Sequence, residues 1–481
     1  MTIPISELIK MPEGKTLEFK RDLSSPKNIL KTIVAFSNTA GGKIFIGVED
    51  KSRDITGIPD PLSEEERLCS LIADNIAPRL VPDVELVSID DKTLLAVEVY
   101  PSGRRPHFLK KEGPDEGVYV RLGSTNRKAD RELIEELDRS VSGVSFDETA
   151  VPDLSPDDLD IEAAKDDFKG VRELNEEELL TLKFLVPVQG KLVPTNGSML
   201  LYGKRRDYYF PDAWVQCGRF MGKDKTYIFD HTEIHENLPA TVESVMLFLK
   251  KHAFKGADIS GIKRRDVWSI PLTILREAVI NAVIHTDYSQ RGAPIRVSFF
   301  DDRIEIENPG ILLPGMTIED VKQGISKIRN RVIARVFREL DLIEQWGSGF
   351  RRILNEAERL GLPEPGIEEI GMRIRVTVFL AENIEIRTTE QVTEQVTEQV
   401  TEQVKRLVAC LKEEPLSVKE AMEALGLNHR PTFMYDYLKP ATDAGLVEMT
   451  QPDSPKSPKQ KYRLTKKGVS LISKIAEDNQ S

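Results

Sequence analysis

The stretch Pro271–Tyr288, PLTILREAVINAVIHTDY, spaces its polar and apolar residues with the period of an α-helix. Glu277 and Asn281 are four residues apart and therefore project from the same side of that helix. Ile274 and Ala278 lie on the flank that would pack against a core. A carboxylate and a carboxamide on one helix face can share a Mg²⁺ ion and a water, and so bring the cation to a triphosphate. The stretch therefore points to nucleotide binding.

Two later fragments extend this prediction. The first is Ile306–Gly310, IENPG, at the end of a run that reads as a strand. The second is Gly347-Ser348-Gly349, which enters another predicted helix. Backbone N–H groups exposed at such an entry can receive phosphate oxygens. We therefore expect Gly347, Ser348 and Gly349 to contact the nucleotide.

Composition limits the classes of protein that remain. The 481 residues exceed one ordinary core, so several domains are expected. The net charge of −12 argues against a protein that coats nucleic acid along its whole surface, although one basic module remains compatible with it. No apolar run is long enough to span a bilayer, and the three cysteines stand singly. A cytoplasmic protein without membrane partners is expected.

Alternating helix and strand patterns predict an α+β multidomain protein. In the N-terminal 140 residues, Ser63–Ala77 reads as a helix with Ser63 as its N-cap, because Glu66 follows three residues later. In the connecting segment, Met199–Tyr202 reads as a strand. Further strands are predicted at Ile295–Phe300, Arg303–Asn308 and Ile374–Phe379.

The segment Thr389–Val404 repeats TEQV four times. A four-residue period on a helix of 3.6 residues per turn gives a slowly drifting valine stripe. The segment is predicted to be a polar helical spacer, and self-association through the stripe is the alternative.

Residues 405–475 have the pattern of a winged helix. A helix is followed by a second one capped by Ser417, by a third over Arg430–Ala444, and by two strands around a basic loop. The stretch Lys456–Lys467 has six basic residues and no acid, as a phosphate-binding surface would. A solvated loop and a protein-interaction module are the alternatives. The candidate nucleic-acid contacts are Arg430, Thr432, Tyr435, Lys439, Lys456, Lys459 and Lys461.

The fragments LREAVINAVIHTDY, IENPG, RNRVIARVF and QWGSGFRRI together resemble a divergent GHKL-type ATPase domain, an α/β sandwich. The resemblance implies ATP and Mg²⁺ as cofactors, with water activation by Glu277 and Mg²⁺ coordination by Asn281. It places Asn308 and Gly310 where the wider class has an acidic adenine contact in a D-x-G-x-G loop. In the mechanism that we expect, Mg²⁺–ATP held by these residues and the Gly347–Gly349 loop orders Gly310–Ser326 as a lid (the lid segment). Asn308 departs from the acidic pattern.

The fragments EGKTLEFK, IVAFSNTAGGKIFIGVED and GVYVRLGSTNRKAD resemble the Schlafen AlbA-type domain over about residues 5–135. This resemblance implies nucleic-acid binding. We expect phosphate contacts from the polar loop Arg121, Ser124, Thr125, Asn126 and Arg127. Some animal Schlafens carry a metal-dependent RNase site, for which Glu13 and Glu18 would supply two carboxylates, and Asp50 or Asp54 the third.

The combined interpretation is a DNA-binding, nucleotide-responsive transcriptional regulator. The predicted order is a Schlafen AlbA-type domain (1–140), a connecting α/β segment (141–260), a GHKL-like domain (261–385), the spacer (386–404) and a winged helix-turn-helix domain (405–481). Double-stranded DNA and further copies of the chain are the expected partners. This interpretation is compatible with weak ATPase activity. The alternative function is a metal-dependent nuclease of the defence type that uses the N-terminal carboxylates.

Overall fold

The computed structural model describes residues 4–253, 255–258, 265–343, 349–380, 402–412, 414–427, 429–451, 460–465 and 467–469. The chain divides into two compact units, Met1–Asn383 and Ile384–Ser481. Residues 386–401 of the predicted spacer lie outside the described ranges. The end of the spacer, Glu402–Val404, belongs to the first helix of the second unit.

A four-stranded sheet organises the N-terminal region of the first unit. The helices are α1 (Ile5–Leu8), α2 (Pro26–Asn38), α3 (Pro61–Asn75), α4 (Gly113–Glu116) and α5 (Arg131–Ser142), and the strands are β1 (Leu17–Lys20), β2 (Gly42–Ile46), β3 (Ile76–Ala77), β4 (Asp83–Ile89), β5 (Lys92–Val99), β6 (Phe108–Leu109), β7 (Tyr119–Leu122) and β8 (Thr125–Lys128). The sheet order is β1-β2-β5-β4, with only β1 and β2 parallel. Ile29, Ile33 and Phe36 recur on one face of α2 and are buried, which fixes that helix on the core.

The predicted cap of α3 was wrong. The helix begins at Pro61, and the Asp60 side chain accepts a hydrogen bond from the Ser63 backbone N–H. Proline is favoured in the first helical turn because it has no N–H to satisfy there. The Asp60-Pro61 pair therefore starts the helix before Ser63 can act as its cap.

Residues 161–209 of the connecting segment form short helices and one pair of short strands. It contains α6 (Ile161–Asp167), α7 (Glu176–Thr181), β9 (Leu185–Val188), β10 (Lys191–Pro194), α8 (Asn196–Tyr202) and α9 (Arg206–Tyr209). The strand predicted at Met199–Tyr202 is wrong, because these residues belong to α8. Thr195 and Ser198 form a capping box at its start, and every residue from Gly197 to Tyr202 is buried. A short run buried on all sides has no periodicity that separates helix from strand.

A six-stranded sheet covered by helices completes the first unit. The remaining elements are β11 (Val215–Phe220), β12 (Ile228–Ile234), α10 (Leu238–His252), β13 (Lys255–Asp258), β14 (Arg265–Trp268), α11 (Leu272–His285), β15 (Ile295–Phe299), β16 (Arg303–Pro309), α12 (Ile318–Lys322), α13 (Arg331–Glu339), α14 (Gly349–Arg359), β17 (Gly366–Ile370) and β18 (Arg373–Phe379). The sheet order is β12-β11-β15-β16-β18-β17, and only β11 and β15 are parallel. One hydrophobic cluster runs from Leu154 to Leu380, so the connecting segment shares a core with this layer.

The described residues of the second unit between 402 and 465 form three helical runs and a hairpin. Its elements are α15 (Glu402–Cys410), α16 (Val418–Ala424), α17 (Arg430–Thr432), a π-helical segment (Phe433–Leu438), α18 (Lys439–Asp443), β19 (Val447–Met449) and β20 (Tyr462–Leu464). Ser417 and Glu420 form the predicted capping box of α16. The two strands are antiparallel. The unit has its own core, which includes Leu407, Phe433 and Tyr437.

Candidate functional site

Helix α11 presents the predicted carboxylate and carboxamide together. Ile274, Leu275 and Ala278 are buried on its core side, which fixes the rotation of the helix. Glu277 and Asn281 consequently face the same space, with 3.5 Å between Asn281 Nδ2 and Glu277 Oε1. The spacing in the sequence therefore corresponds to a real juxtaposition of the two side chains.

Strand β16 brings Asn308 to the same space. Alternate residues of a strand point to opposite faces of its sheet. Ile306 and Asn308 line the cavity beside α11, as do Val376 and Ile374, their partners across β18. Glu305 and Glu307 are buried and form ion pairs with arginines, including Arg375. Asn308 is 5% exposed, and its Nδ2 donates to the Pro309 carbonyl oxygen at 3.1 Å.

Gly349 is the first residue of α14 and lies directly against the Glu277–Asn281 pair of α11. A Cβ built on Gly349 would collide with Glu277 Oε1 and would lie 2.9 Å from Asn281 Nδ2. One turn later, Arg352 Nη2 lies 3.1 Å from Glu277 Oε2. Any residue with a side chain at position 349 would therefore displace the ends of the Glu277 and Asn281 side chains. Gly347 and Ser348 lie outside the described residues.

A cavity of about 490 Å³ collects these groups. Glu277, Asn281, Asn308 and Gly349 all line it. Part of the lid segment covers it with apolar side chains: Ile311, Leu312, Leu313, Met316, Val321 and Ile325. The remaining wall carries cationic side chains that sequence reasoning did not assign to the site: Lys327, Arg329, Arg331, Arg335, Arg338 and Arg352. The i, i+4, i+7 spacing of Arg331, Arg335 and Arg338 is the signal that could have identified a cationic helix face.

The donor set and shape of this cavity fit a magnesium nucleotide. An apolar region suits a base, and a cationic wall suits phosphates. The Glu277–Asn281 pair supplies oxygen ligands of the kind that Mg²⁺ prefers. The close approach of Gly349 leaves backbone where a side chain would occupy the space beside that pair.

Burial lowers the pKa of two groups at the cavity wall. Desolvation lowers the pKa of His285 to about 4, so its imidazole is neutral near pH 7. Desolvation also lowers the pKa of Arg329 to about 10, which still leaves the guanidinium charged. Arg329 contributes positive charge to the wall, whereas His285 does not.

Gly310 occupies the turn that follows β16. Its φ of +106° lies in a region that favours glycine, and its N–H donates to the Met372 carbonyl oxygen. A Cβ there would lie 3.1 Å from the Asp287 side chain and 3.2 Å from Arg329. Gly310 therefore shapes the start of the lid segment, and it is not among the residues that line the cavity.

The structure corrects the role predicted for Arg121. Its side chain is 1% exposed, and its guanidinium forms an ion pair with buried Glu18. It also donates to the Gly14 carbonyl oxygen and to Asn126 Oδ1, both at 3.0 Å. Arg121 therefore holds the β7–β8 hairpin on the domain and is unavailable for phosphate contact. Alternation along a strand cannot reveal such an inward arginine without knowledge of its partner.

The rest of the predicted polar loop is differently placed. Ser124, Thr125 and Arg127 are exposed at the hairpin. Asn126 is half-buried, and its Nδ2 donates to Thr32 Oγ1 at 2.8 Å. Ser124, Thr125 and Arg127 remain predicted nucleic-acid contacts, whereas Asn126 is engaged inside the domain.

Glu13 lies near Asp50 and Glu18, but Glu13 and Glu18 also have other hydrogen-bond partners. Glu13 Oε1 accepts a hydrogen bond from the Phe19 backbone N–H at 2.8 Å, and burial followed by contact with Asp50 raises the Glu13 pKa. Glu18 is paired with Arg121 and Lys20. Asp54 accepts from Ser52 Oγ at 2.6 Å. Within the described ranges, no three His, Cys, Asp or Glu side chains are grouped to hold a metal ion.

Only some predicted contacts of the second unit fall on described residues. Arg430 is exposed at the start of α17, and Thr432 Oγ1 lies 2.9 Å from His429 Nδ1. Lys439 lies 5.8 Å from the centre of the Tyr435 ring. Lys461 Nζ is 3.4 Å from Glu420 Oε2. Lys456 and Lys459 lie outside the described residues.

In the described part of the chain, no helix combines the length and the apolar character needed to cross a bilayer.

Three family models match separate parts of the chain. Residues 13–130 match "Schlafen, AlbA_2", which confirms the N-terminal resemblance. Residues 292–378 match "Putative ATP-dependent DNA helicase recG C-terminal", an ATPase-like domain. This range contains Asn308 and Gly349, and α11 precedes it. Residues 402–465 match "Filamentation induced by cAMP protein Fic-like, C-terminal domain", which is not described as a winged helix.

Solved structures show distant similarity. The DIP2311 protein of Corynebacterium diphtheriae is 20% identical, with 98% of this chain and 97% of that chain covered and a TM-score of 0.42. The N-terminal domain of a RecG-related protein from Nitrosomonas europaea is 27% identical over 27% of this chain and 94% of that one, with a TM-score of 0.22. A Fic family protein from Desulfovibrio desulfuricans G20 is 15% identical over 70% and 77% of the two chains, with a TM-score of 0.14. These TM-scores are low and support no functional conclusion.

Proposed function

We propose that this chain is a nucleic-acid-binding regulator whose cavity beside α11 binds Mg²⁺ and ATP in a GHKL-like manner. The observation that carries the proposal is the convergence of Glu277, Asn281, Asn308 and Gly349 on one cavity of about 490 Å³. These residues come from a helix, a strand and the start of another helix that are far apart in sequence. Their convergence is the arrangement expected of a ligand site.

Each part of the cavity has a role in this proposal. Asn281 would hold Mg²⁺, and Glu277 would orient a water beside it. Bound Mg²⁺ would supply charge stabilisation at the phosphates. Exposed cationic side chains of the wall, such as Arg338, would hold the phosphate oxygens, whereas buried Arg329 is paired with Glu136. The apolar lid segment would exclude water from the base. The Arg352 guanidinium lies 3.1 Å from Glu277 and so places a positive charge beside the carboxylate that is proposed to orient the water.

The nucleic-acid part of the proposal rests on the matches and on surface chemistry. The Schlafen AlbA_2 family model and the family model named after the C-terminal region of a DNA helicase both match the first unit. The exposed Ser124, Thr125 and Arg127 at the β7–β8 hairpin offer phosphate-binding groups. The helices and hairpin of the second unit have the order of a winged helix, which we propose binds double-stranded DNA through α17 and the following helical run. Regulation of transcription by a homo-oligomer is the corresponding biological role.

The Asn308→Asp variant tests where the base lies. A carboxylate accepts a hydrogen bond from the adenine amino group more strongly than a carboxamide does, so ATP affinity should rise roughly fivefold. Guanine has a carbonyl oxygen in place of this amino group, so GTP affinity should not rise. Fluorescence titrations with both nucleotides in Mg²⁺ buffer measure the difference, and Asn308→Ala serves as the size control. Equal changes for ATP and GTP would rule out an adenine contact at residue 308.

A further inference from the structure

The lid segment lines the cavity beside α11 and is also hydrogen-bonded to the N-terminal region. Leu312 lines the cavity, and its backbone N–H donates to Glu369 Oε1 at 2.8 Å. The same carboxylate accepts two hydrogen bonds from Lys15 Nζ, at 2.5 and 2.6 Å. The side chains of Lys15 and Glu369 are 12% and 4% exposed. A single buried carboxylate therefore joins the lid segment to a residue that precedes β1.

Two further contacts fasten the same segment. The Gly315 N–H donates to the Thr39 carbonyl oxygen, at the end of α2, at 2.9 Å. Arg329, at the cavity wall, donates to the Ile311 carbonyl oxygen and pairs with Glu136 of α5. Glu136 and Arg329 are both 8% exposed. The lid segment is thus held from outside at residues 311, 312 and 315.

Further hydrogen bonds connect the backbone beside Lys15 to the β7–β8 hairpin, which carries the predicted nucleic-acid contacts. Gly14 is the neighbour of Lys15, and its carbonyl oxygen accepts from Arg121 Nε. Arg121 then donates to Asn126 within the β7–β8 hairpin. Each link is buried or half-buried, so solvent weakens it little. A displacement of the hairpin would change the position of the 14–15 backbone on which the Lys15–Glu369 pair depends.

We propose that occupancy of the nucleotide cavity and nucleic-acid binding at the β7–β8 hairpin are coupled through this fastened lid segment. The inference rests on the proposed function for the identity of both ligands. The lid segment is the two-state element, either fastened to the N-terminal region over the cavity or released from it. Nucleic acid that steadies the hairpin favours the fastened state, and so does a nucleotide beneath the lid. Linkage requires each ligand to raise the affinity of the other by the same factor.

The first test measures ATP affinity of the full chain in Mg²⁺ buffer, with and without saturating duplex DNA. We expect DNA to strengthen ATP binding by at least about fivefold. In Lys15→Met/Glu369→Gln the factor should fall to about one, because the charge pair between the two regions is gone. Glutamine keeps an acceptor for the Leu312 N–H, so the lid segment itself remains supported. Lys43→Met/Glu98→Gln removes an exposed ion pair (side chains 38% and 37% exposed) and should retain the full factor.

The second test needs neither nucleotide nor a variant. Hydrogen–deuterium exchange of the amides of Leu312 and Gly315 should slow when duplex DNA binds the wild-type chain without ATP. ATP binding that DNA leaves unchanged, together with unchanged exchange, would overturn the coupling and leave the nucleotide site standing. DNA-slowed exchange in a chain that binds no ATP would refute the proposed nucleotide function and retain the link from hairpin to lid.

Discussion

We expect Glu136→Leu to lower the free energy of unfolding of the first unit by about 3 kcal/mol, because it leaves the buried Arg329 guanidinium without its carboxylate partner. The side chains of Glu136 and Arg329 are only 10% and 7% exposed, so water cannot replace the lost partner. Asp287 Oδ2 lies 4.0 Å from Arg329 and offsets part of the loss, which favours the low end of the usual range. Urea denaturation followed by circular dichroism measures the change.

The double change Glu136→Leu/Arg329→Met separates charge from packing. Replacing both partners with apolar groups should recover most of the stability, because no unpaired charge then stays buried. Glu135→Ala is the matched control on the same helix, since the Glu135 side chain is 50% exposed and pairs with exposed Arg131 and, at 3.9 Å, with half-buried Arg139. It should change stability by less than about 0.5 kcal/mol. If Glu136→Leu alone is as stable as the wild type, α5 does not hold the lid segment through Arg329.

The second large effect concerns Asn281. We expect Asn281→Ala to weaken ATP binding at least tenfold in Mg²⁺ buffer, because the change removes a proposed oxygen ligand of the cation. In EDTA the variant and the wild type should bind ATP equally weakly, since no cation is then held. This dependence distinguishes loss of a metal ligand from general damage to the cavity. Isothermal titration calorimetry gives both affinities.

Arg276→Ala is the control on the same helix. Arg276 pairs with Glu243 away from the cavity, so its removal should leave ATP affinity within about twofold of the wild type. If Asn281→Ala binds Mg²⁺ and ATP as tightly as the wild type does, Asn281 is not a metal ligand.

The features that sequence predicted well have strong local periodicity. The helix containing Glu277 and Asn281 could be placed because apolar residues recur at its core face. The strand containing Asn308 could be placed because Ile304 and Ile306 alternate with buried glutamates. The helices and hairpin of the second unit were also identified, since Ser417 and Glu420 mark a helix start.

The features that sequence missed depend on partners far away in the chain. Arg121 looks like a surface cation until Glu18 is found beside it. Lys15 and Glu369 are 354 residues apart, and no local pattern links them. The run containing Met199 is buried on all sides, so its helical state depends on the Thr195 cap rather than on any periodicity. Tertiary burial decides each of these cases, and one sequence does not encode burial locally.

Calorimetric titration of the full chain with ATP, in Mg²⁺ and then in EDTA, tests the central claim most directly. The cavity described by Glu277, Asn281, Asn308 and Gly349 predicts one saturable site per chain with Kd below about 1 mM, weakened when the cation is removed. Absence of saturable binding up to about 1 mM ATP in Mg²⁺ buffer would contradict a nucleotide site at this cavity.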